Sequence, residues 1–326
     1  MKTTQPVVPI LLTTFCRPKL TYEAINRILN SGYQGELFVS HDGPIRGFYD
    51  KEYKATREVI LELNDKFPLI RVILREKNNG ITQHIVESMS EVLESYNALI
   101  FLEEDMQISL DGLQFLSQVS ISNKPEHRVA FTKRIHLDSY KVARRTRFPE
   151  QWGIAINKLM FDSYLGNYEN RNVSWNLIWN IMGGETFSLA QRLASTLYWY
   201  RLMKSQINSP HGWDALLQLT CWKSGQLSLV SPSNCITDLG GSGEAGGYSK
   251  RLEGSELRGK PHLFRSERGN KEICKLCEME EYRSRDINIF GSLRSIFRIR
   301  TRFINGIKLF LLLKMTNRNF VRRLLR

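Results

Sequence analysis

The first hundred residues alternate between short apolar runs and longer stretches in which apolar residues recur every three or four positions. The apolar runs predict buried strands at 7–15, 35–40, 69–75 and 97–102. The amphipathic stretches predict helices at 18–30, 51–66 and 81–95. Because strands and helices follow one another in turn, the pattern predicts an α/β fold with a parallel sheet and right-handed crossovers.

The remainder of the chain is less regular. The same criteria predict strands at 128–132 and 227–231 and helices at 186–203 and 212–223. An aromatic segment at 148–156 is typical of a loop that leads into a strand. The glycine-rich segment 240–247 lacks the Lys-Ser/Thr pair of a phosphate-binding loop, so we interpret it as a mobile lid.

The fourth predicted strand ends in three consecutive carboxylates, Glu103, Glu104 and Asp105. In open α/β sheets, ligands bind at the carboxyl ends of the strands. Hard divalent cations such as Mn²⁺ and Mg²⁺ take carboxylate oxygens and fill their other positions with water and substrate phosphates. The triplet therefore indicates a metal–diphosphate site. The alternative is a solvated junction between a strand and a loop.

Two further polar residues follow predicted strands: Arg17 after the first and Asp42 after the second. An arginine can pair with a phosphate, and an aspartate can accept hydrogen bonds from a base or a ribose. Because parallel strands end at one edge of the sheet, we expect both residues to lie near the acidic triplet. Taken singly, Arg17 could instead form a surface salt bridge and Asp42 a plain turn.

The net charge of +13 is concentrated in one segment. No Asp or Glu follows Asp286, whereas ten basic residues do: Arg294, Arg298, Arg300, Arg302, Lys308, Lys314, Arg318, Arg322, Arg323 and Arg326. The rest of the chain carries 36 of the 46 basic residues against 33 acidic ones. A nucleic-acid-binding protein would carry its basic residues on the folded body, so this distribution argues against that class.

The basic C-terminal segment is also rich in apolar residues, and we call residues 263–326 the tail. No run in it approaches the roughly 20 apolar residues that span a bilayer. Basic amphipathic helices lie on anionic membrane surfaces, which predicts peripheral attachment to the inner face of the membrane. The alternative is that these helices pack on the body or on another subunit.

The chain has five cysteines and no features of a signal peptide, which predicts a reducing, cytoplasmic location. Cys274 and Cys277 have the spacing of half a zinc site. Because no second Cys or His pair stands at a suitable distance, we interpret them as surface thiols.

Several segments resemble those of the GT-A glycosyltransferases, which use nucleotide sugars. The segments are ILLTTFCRP, ELFVSHDGP, the run ending at Glu103-Glu104-Asp105 with QISLDGL shortly after it, FPEQWGIAI, and GWDALLQLTCWKSGQLSLVSPSNCITDLGG. Their order is most similar to that of the alpha-1,3-mannosyl-glycoprotein beta-1,2-N-acetylglucosaminyltransferase family, over about residues 5–250. The resemblance implies a GT-A fold, with a Rossmann-like nucleotide-binding half and a mixed central sheet, in residues 1–262.

The resemblance also implies roles for single residues. Asp105 would bind Mn²⁺ or Mg²⁺, and Asp214 would be the general base, although it could also cap the helix that begins there. Trp152 and Trp213 are candidates to stack on the acceptor sugar. The residues that would bind the nucleotide sugar are Arg17, Asp42, His84, Glu103 and Glu104. The family's triplet is typically Glu-Asp-Asp, so the change to Glu104 bears on which sugar is bound.

These observations predict a metal-dependent, inverting glycosyltransferase that moves a hexose or N-acetylhexosamine from a UDP-sugar to a hydroxyl acceptor. UDP-N-acetylglucosamine is the donor that the family resemblance implies. Because no Golgi-type anchor precedes the domain, we expect a carbohydrate or lipid-linked acceptor in surface polysaccharide or glycolipid synthesis. The alternatives are a family-two-like transferase with another nucleotide sugar, an inactive GT-A scaffold, or a basic nucleic-acid-binding protein.

Overall fold

A computed structural model describes residues 7–121, 128–132, 143–147, 153–185, 189–232 and 235–239. The strands are β1 Ile10–Thr14, β2 Leu37–His41, β3 Ile70–Leu74, β4 Ala98–Glu103, β5 Met106–Ile108, β6 Val129–Phe131, β7 Arg144–Thr146, β8 Ile154–Asn157, β9 Ser228–Val230 and β10 Ile236–Asp238. The helices are α1 Pro18–Asn30, α2 Asp50–Lys66, α3 Ile81–Leu93, α4 Leu110–Ser120, α5 Lys158–Glu169, α6 Trp175–Glu185, α7 Leu189–Gln206 and α8 Trp213–Lys223.

An eight-stranded sheet runs through the described residues in the order β3-β2-β1-β4-β8-β6-β9-β7. The pairs β2–β3, β1–β2 and β1–β4 are parallel, as the alternation of strands and helices predicts. Beyond β4 the sheet is mixed, because β8 runs antiparallel to both β4 and β6. The predicted α/β class, with a parallel Rossmann-like half and a mixed central sheet, is therefore confirmed.

The register of the parallel half aligns the strand ends that carry polar residues. Thr14 pairs with His41 across β1 and β2, and Thr13 pairs with Glu103 across β1 and β4. Parallel strands in register end at one edge of the sheet. The residues that follow these strands are thus brought to that edge, as the sequence predicts.

The core consists of two apolar layers, one on each face of the sheet. Successive side chains of a strand point to opposite faces, so Leu99 and Phe101 of β4 lie in one layer and Ile100 and Leu102 in the other. Helices α3, α5, α6, α7 and α8 cover the first layer, and α1, α2 and α4 cover the second. Because β4 is buried on both faces, its side chains change to carboxylates only where the strand leaves the core.

A short antiparallel ribbon, which we did not predict, lies directly after the acidic triplet. Strand β5 pairs with β10, with Gln107 opposite Thr237. Beyond the ribbon, the amide of Leu239 donates a hydrogen bond to the backbone carbonyl oxygen of Asp105 at 2.8 Å. A segment from far along the chain therefore holds the backbone of the triplet.

Some of the remaining helices and strands were predicted and others were not. The helix predicted at 186–203 is found at Leu189–Gln206, while α4, α5 and α6 and the strand β7 were not predicted. Most of the 148–156 segment, the glycine-rich segment 240–247 and the whole tail lie outside the described residues. Among the residues that are described, no helix is long and apolar enough to cross a membrane.

Candidate active site

Arg17 lies against the acidic triplet at the end of β4. Pro18 occupies the first position of α1, which fixes where the chain turns from β1 into the helix and leaves Arg17 just before it. Its Nη1 donates to Asp105 Oδ2 at 2.6 Å, and its Nε lies 3.6 Å from Glu104 Oε1. Burial would lower the pKa of Arg17, but the two carboxylates outweigh that effect and raise the pKa.

The second oxygen of Asp105 is available to a ligand. Asp105 Oδ1 is buried and has no hydrogen-bond partner among the described residues. A buried carboxylate oxygen without a donor costs free energy unless a cation or a water satisfies it, and hard divalent cations prefer such oxygens. The residues present therefore fit a divalent cation at Asp105.

No cluster of three or more His, Cys, Asp or Glu side chains is arranged to hold a metal within the described ranges. A cation at Asp105 would complete its shell with water and with oxygens of the substrate. That is the usual arrangement for Mg²⁺ and Mn²⁺ at sites that bind a diphosphate.

Glu103, the last residue of β4, lies among other negatively charged side chains, and its pKa is sensitive to their charges. Its pKa is raised well above the usual range, first by burial and then by the negative charges of Asp105, Glu104 and Asp214. The charge of Asp214 thus acts on the triplet, although Asp214 is far away along the chain. Arg17 neutralises part of the negative charge of this cluster through its contacts with Asp105 and Glu104.

Asp214 reaches this site because the beginning of α8 is fixed to β4. The ring of Trp213 packs edge-on against Phe101 of β4, with a centroid distance of 5.2 Å, and is only 6% exposed. Before it, a Cβ on Gly212 would lie 1.9 Å from the carbonyl oxygen of Gln206, so this close approach requires glycine. The ring contact places the first turn of α8 beside β4, and the close approach at Gly212 fixes the turn from α7 into α8.

The carboxyl group of Asp214 is largely buried, and burial raises its pKa. Its Oδ1 accepts a hydrogen bond from the amide of Ala215 at 2.6 Å. Gly212, rather than Asp214, occupies the position that caps α8. Asp214 nevertheless accepts from an amide of the first turn, so its role as helix cap and its role as general base both stay predictions.

The two tryptophans predicted to contact the acceptor have different outcomes. Trp213 is buried in the core, where it positions the start of α8. Trp152 lies outside the described residues. Acceptor contact by either ring stays a prediction.

Asp42 is buried and organises the loop between β3 and α3. Its Oδ1 accepts from the amides of Gly43 at 2.8 Å and Asn79 at 3.0 Å, and its Oδ2 accepts from Asn78 Nδ2 at 2.9 Å. A Cβ on Gly43 would lie 2.1 Å from the backbone of Lys77, so the two loops meet without room for a side chain. A role for Asp42 in shaping this part of the site is visible in the structure, and its contact with the nucleotide stays a prediction.

His84 of α3 lies beside Asp42, so the structure brings together two of the residues predicted to bind the nucleotide. Its Nδ1 is 3.8 Å from Asp42 Oδ1, and its Nε2 is 3.3 Å from the carbonyl oxygen of Ser40. Burial lowers the pKa of His84, and the charge of Asp42 only partly opposes this shift. The ring is therefore neutral near pH 7, with Nδ1 lacking a partner among the described residues.

His41, the last residue of β2, is a buried histidine that we missed. Its ring stacks on Tyr53 at 4.6 Å, and its Nδ1 lies 3.1 Å from Thr14 Oγ1. Burial, followed by the charges of His84 and Arg57, lowers the pKa of His41 to about 3. The sequence could have identified His41, because it lies at the same strand end that identified Asp42 as a candidate.

We expect His41 to make the protein acid-sensitive. In the unfolded chain its pKa returns to about 6.5, so the unfolded state binds the proton more tightly and stability falls as the pH drops below that value. Between about pH 7.5 and about pH 5 this one group should remove about 2 kcal/mol from the free energy of unfolding.

The measurement is urea unfolding of the wild type and His41→Gln at both pH values. The glutamine variant should lose about 2 kcal/mol less on acidification, while His84 and the carboxylates contribute alike to both proteins. Equal losses in the two proteins would show that His41 is not held neutral.

No model of a protein family matches the chain, and no curated protein matches it. Solved structures do resemble it. A mannosyltransferase from Pyrobaculum calidifontis, in complex with GDP-Man and Mn²⁺, is 10% identical with a TM-score of 0.39, over 68% of this chain and 70% of its own. GalNAc-T7 with UDP, GalNAc and Mn²⁺ is 11% identical with a TM-score of 0.44, over 71% of this chain and 43% of its own.

A third structure, the inositol-1-phosphate CTP transferase from T. maritima, is 14% identical with a TM-score of 0.37, over 77% of this chain and 98% of its own. These likenesses are remote in sequence and in structure, so they carry no argument about the reaction. None of the three is a beta-1,2-N-acetylglucosaminyltransferase, and the narrower family resemblance stays a prediction.

Proposed function

We propose that this protein is a metal-dependent, inverting glycosyltransferase of the GT-A type that moves a sugar from a UDP-sugar to a hydroxyl group. The observation that carries the proposal is the ion pairing of Arg17 with Asp105 and Glu104 just after β4. The start of α8, which carries Asp214, packs on the same strand through the rings of Trp213 and Phe101. One guanidinium, an available carboxylate oxygen and a separate buried carboxylate are the groups that such a transfer needs.

The donor end of the site is formed by Arg17, Asp105 and the Asp42 loop. Arg17 supplies a planar donor group that suits a diphosphate, and Asp105 would hold a divalent cation. When bound, that cation offsets the negative charge that develops on the departing diphosphate. Asp42 and His84 lie next to each other, and they would contact the base and the ribose. Glu103 and Glu104 would contact the donor sugar.

Asp214 would accept the proton of the attacking hydroxyl group. A general base works best when its pKa approaches the working pH, and burial raises the pKa of Asp214 in that direction. Asp214 comes from the first turn of α8, whereas Asp105 lies in the turn that follows β4, so the proposed base and the proposed metal ligand are held by different segments. Separate attachment allows the base to approach the sugar from the face opposite the diphosphate, as inversion requires.

The direct experiment is release of the nucleoside diphosphate from a panel of nucleotide sugars that includes several UDP-sugars, with and without Mn²⁺. We expect Mn²⁺-dependent release from one donor, with UDP-N-acetylglucosamine as the first to test. Release from a different nucleotide sugar would support the family-two-like alternative. Absence of UDP binding and of release from every donor would contradict the proposal and leave an inactive scaffold.

The acceptor and the location are the parts of the proposal that depend on the tail. We propose a carbohydrate or lipid-linked acceptor at the cytoplasmic face of the membrane, reached because the tail binds anionic headgroups. Each Lys or Arg near such a surface contributes about 1 kcal/mol before screening. The body, with its nearly balanced charge, offers no comparable attraction for nucleic acid.

Full-length protein should co-sediment with liposomes that contain anionic lipid and detach as salt is added. Replacing Arg298, Arg300 and Arg302 with glutamine should weaken this binding severalfold, because three headgroup contacts are lost. Replacing Arg71, which pairs with Glu36 on the body, is the matched control and should leave binding unchanged. Equal binding by all three proteins would contradict the role of the tail.

A further inference from the structure

Arg17 and the expected cation share one carboxylate. The guanidinium holds Asp105 Oδ2 at 2.6 Å, while Oδ1 of the same group is left for a metal. The side chains of Arg17 and Asp105 are each only 13% exposed. Solvent therefore screens their charges poorly, and a cation on Oδ1 would lie within a few ångströms of another positive charge.

This arrangement makes the free protein a poor binder of a divalent cation. The positive charge of Arg17 already neutralises part of the triplet, through Asp105 and through Glu104 at 3.6 Å. A divalent cation on Oδ1 would have to overcome the repulsion from Arg17, and a cation that takes both oxygens would also have to displace the Arg17–Asp105 hydrogen bond.

A bound diphosphate would turn the repulsion between Arg17 and the cation into a shared attraction. Its oxygens can accept hydrogen bonds from the guanidinium and bind the cation at the same time, so that negative charge lies between the two positive groups. Arg17 then gains a phosphate partner in place of Asp105, and the whole carboxylate becomes available to the cation. The same residue that weakens the metal in the free protein strengthens it in the complex.

We infer that Arg17 makes the binding of metal and nucleotide diphosphate cooperative, by competing with the metal for Asp105 until the diphosphate arrives. The inference rests on the proposed function, since it takes a nucleotide diphosphate as the ligand. Linkage requires the effect to be reciprocal: Mn²⁺ must raise the affinity for UDP by the same factor as UDP raises the affinity for Mn²⁺. Arg17 is the residue that sets this factor.

The test is calorimetric titration of the full-length protein with Mn²⁺ alone, with UDP alone, and with UDP in saturating Mn²⁺. In Arg17→Gln, we expect Mn²⁺ alone to bind about tenfold more tightly and UDP with Mn²⁺ to bind about tenfold more weakly, because one buried charge is removed. The coupling factor, by which each ligand raises the affinity for the other, should therefore fall in this variant. A residue that merely supported the fold would not move the two affinities in opposite directions.

Two variants complete the experiment. Arg71→Gln removes the same charge from a mostly exposed pair with Glu36 and should leave both affinities unchanged. Arg17→Lys keeps the charge without the planar donor group, so its coupling factor should fall between those of wild type and glutamine variant. If circular dichroism shows that Arg17→Gln is unfolded, the coupling factor of Arg17→Lys is compared with that of the wild type instead.

The outcomes separate this inference from the function on which it rests. Unchanged or weaker Mn²⁺ binding in folded Arg17→Gln, in a protein whose wild type binds UDP with Mn²⁺, would overturn the inference alone. Failure of the wild type to bind UDP, with or without Mn²⁺, would instead overturn the proposed function and the inference with it.

Discussion

Replacing Asp214 with asparagine is expected to lower turnover by roughly 10²–10⁴-fold, the usual contribution of a general base. Asparagine keeps the shape of the side chain and its hydrogen bond to the amide of Ala215, but it cannot accept the proton. Donor binding should stay nearly unchanged, because Asp214 lies on α8 and contributes no expected contact to the diphosphate. The measurements are the rate of UDP release with acceptor present and the affinity for UDP with Mn²⁺.

Asp111→Asn is the matched control for this substitution. Asp111 is the second residue of α4, as Asp214 is the second residue of α8, so both changes remove one carboxylate from a helical first turn. The control should keep wild-type turnover. A folded Asp214→Asn protein with wild-type turnover would show that Asp214 supports the helix and takes no part in the chemistry.

Replacing Asp105 with alanine is expected to abolish Mn²⁺-dependent binding of UDP. The substitution removes the carboxylate oxygen that the structure leaves without a donor, together with the partner of Arg17. Without that ligand a divalent cation has no direct hold at the end of β4. Calorimetry should show the same weak UDP binding whether Mn²⁺ is present or absent.

Asp162→Ala serves as the control, because Asp162 lies on α5 in an exposed pair with Lys158. Its Mn²⁺-dependent UDP binding should match that of the wild type. Should Asp105→Ala fold and still bind UDP more tightly with Mn²⁺, the cation must be held by another residue.

Sequence patterns placed the parallel strands correctly because that information is local. Each of these strands contains a short apolar run, and the residues that follow the run are visible in the sequence. Topology rules then bring Arg17 and Asp105 to one edge, which the 2.6 Å ion pair confirms. The ion pair itself was not predicted, because the choice between a phosphate and a carboxylate as partner depends on distances in the folded chain.

Other features depend on contacts between distant segments, which no local pattern records. Trp213 was a candidate to stack on the acceptor sugar, and the contact of its ring with Phe101 of β4 was not predicted. The hydrogen bonds that Asp42 accepts from the β3–α3 loop were not predicted either, and its contact with the nucleotide stays a prediction. The short strands β5 and β10 were missed because each has a polar residue at its centre, Gln107 or Thr237, and because their pairing joins distant segments.

The hydrogen bond from Leu239 to the backbone of Asp105 has a consequence for how the protein is made. The parallel half of the sheet is complete once β4 has left the ribosome, whereas the ribbon that holds the triplet waits for β10. Contacts between segments so far apart in sequence form late, because the connecting chain must first be ordered. During synthesis, the strands β1 to β4 are therefore all made before the ribbon can fix the backbone of Asp105.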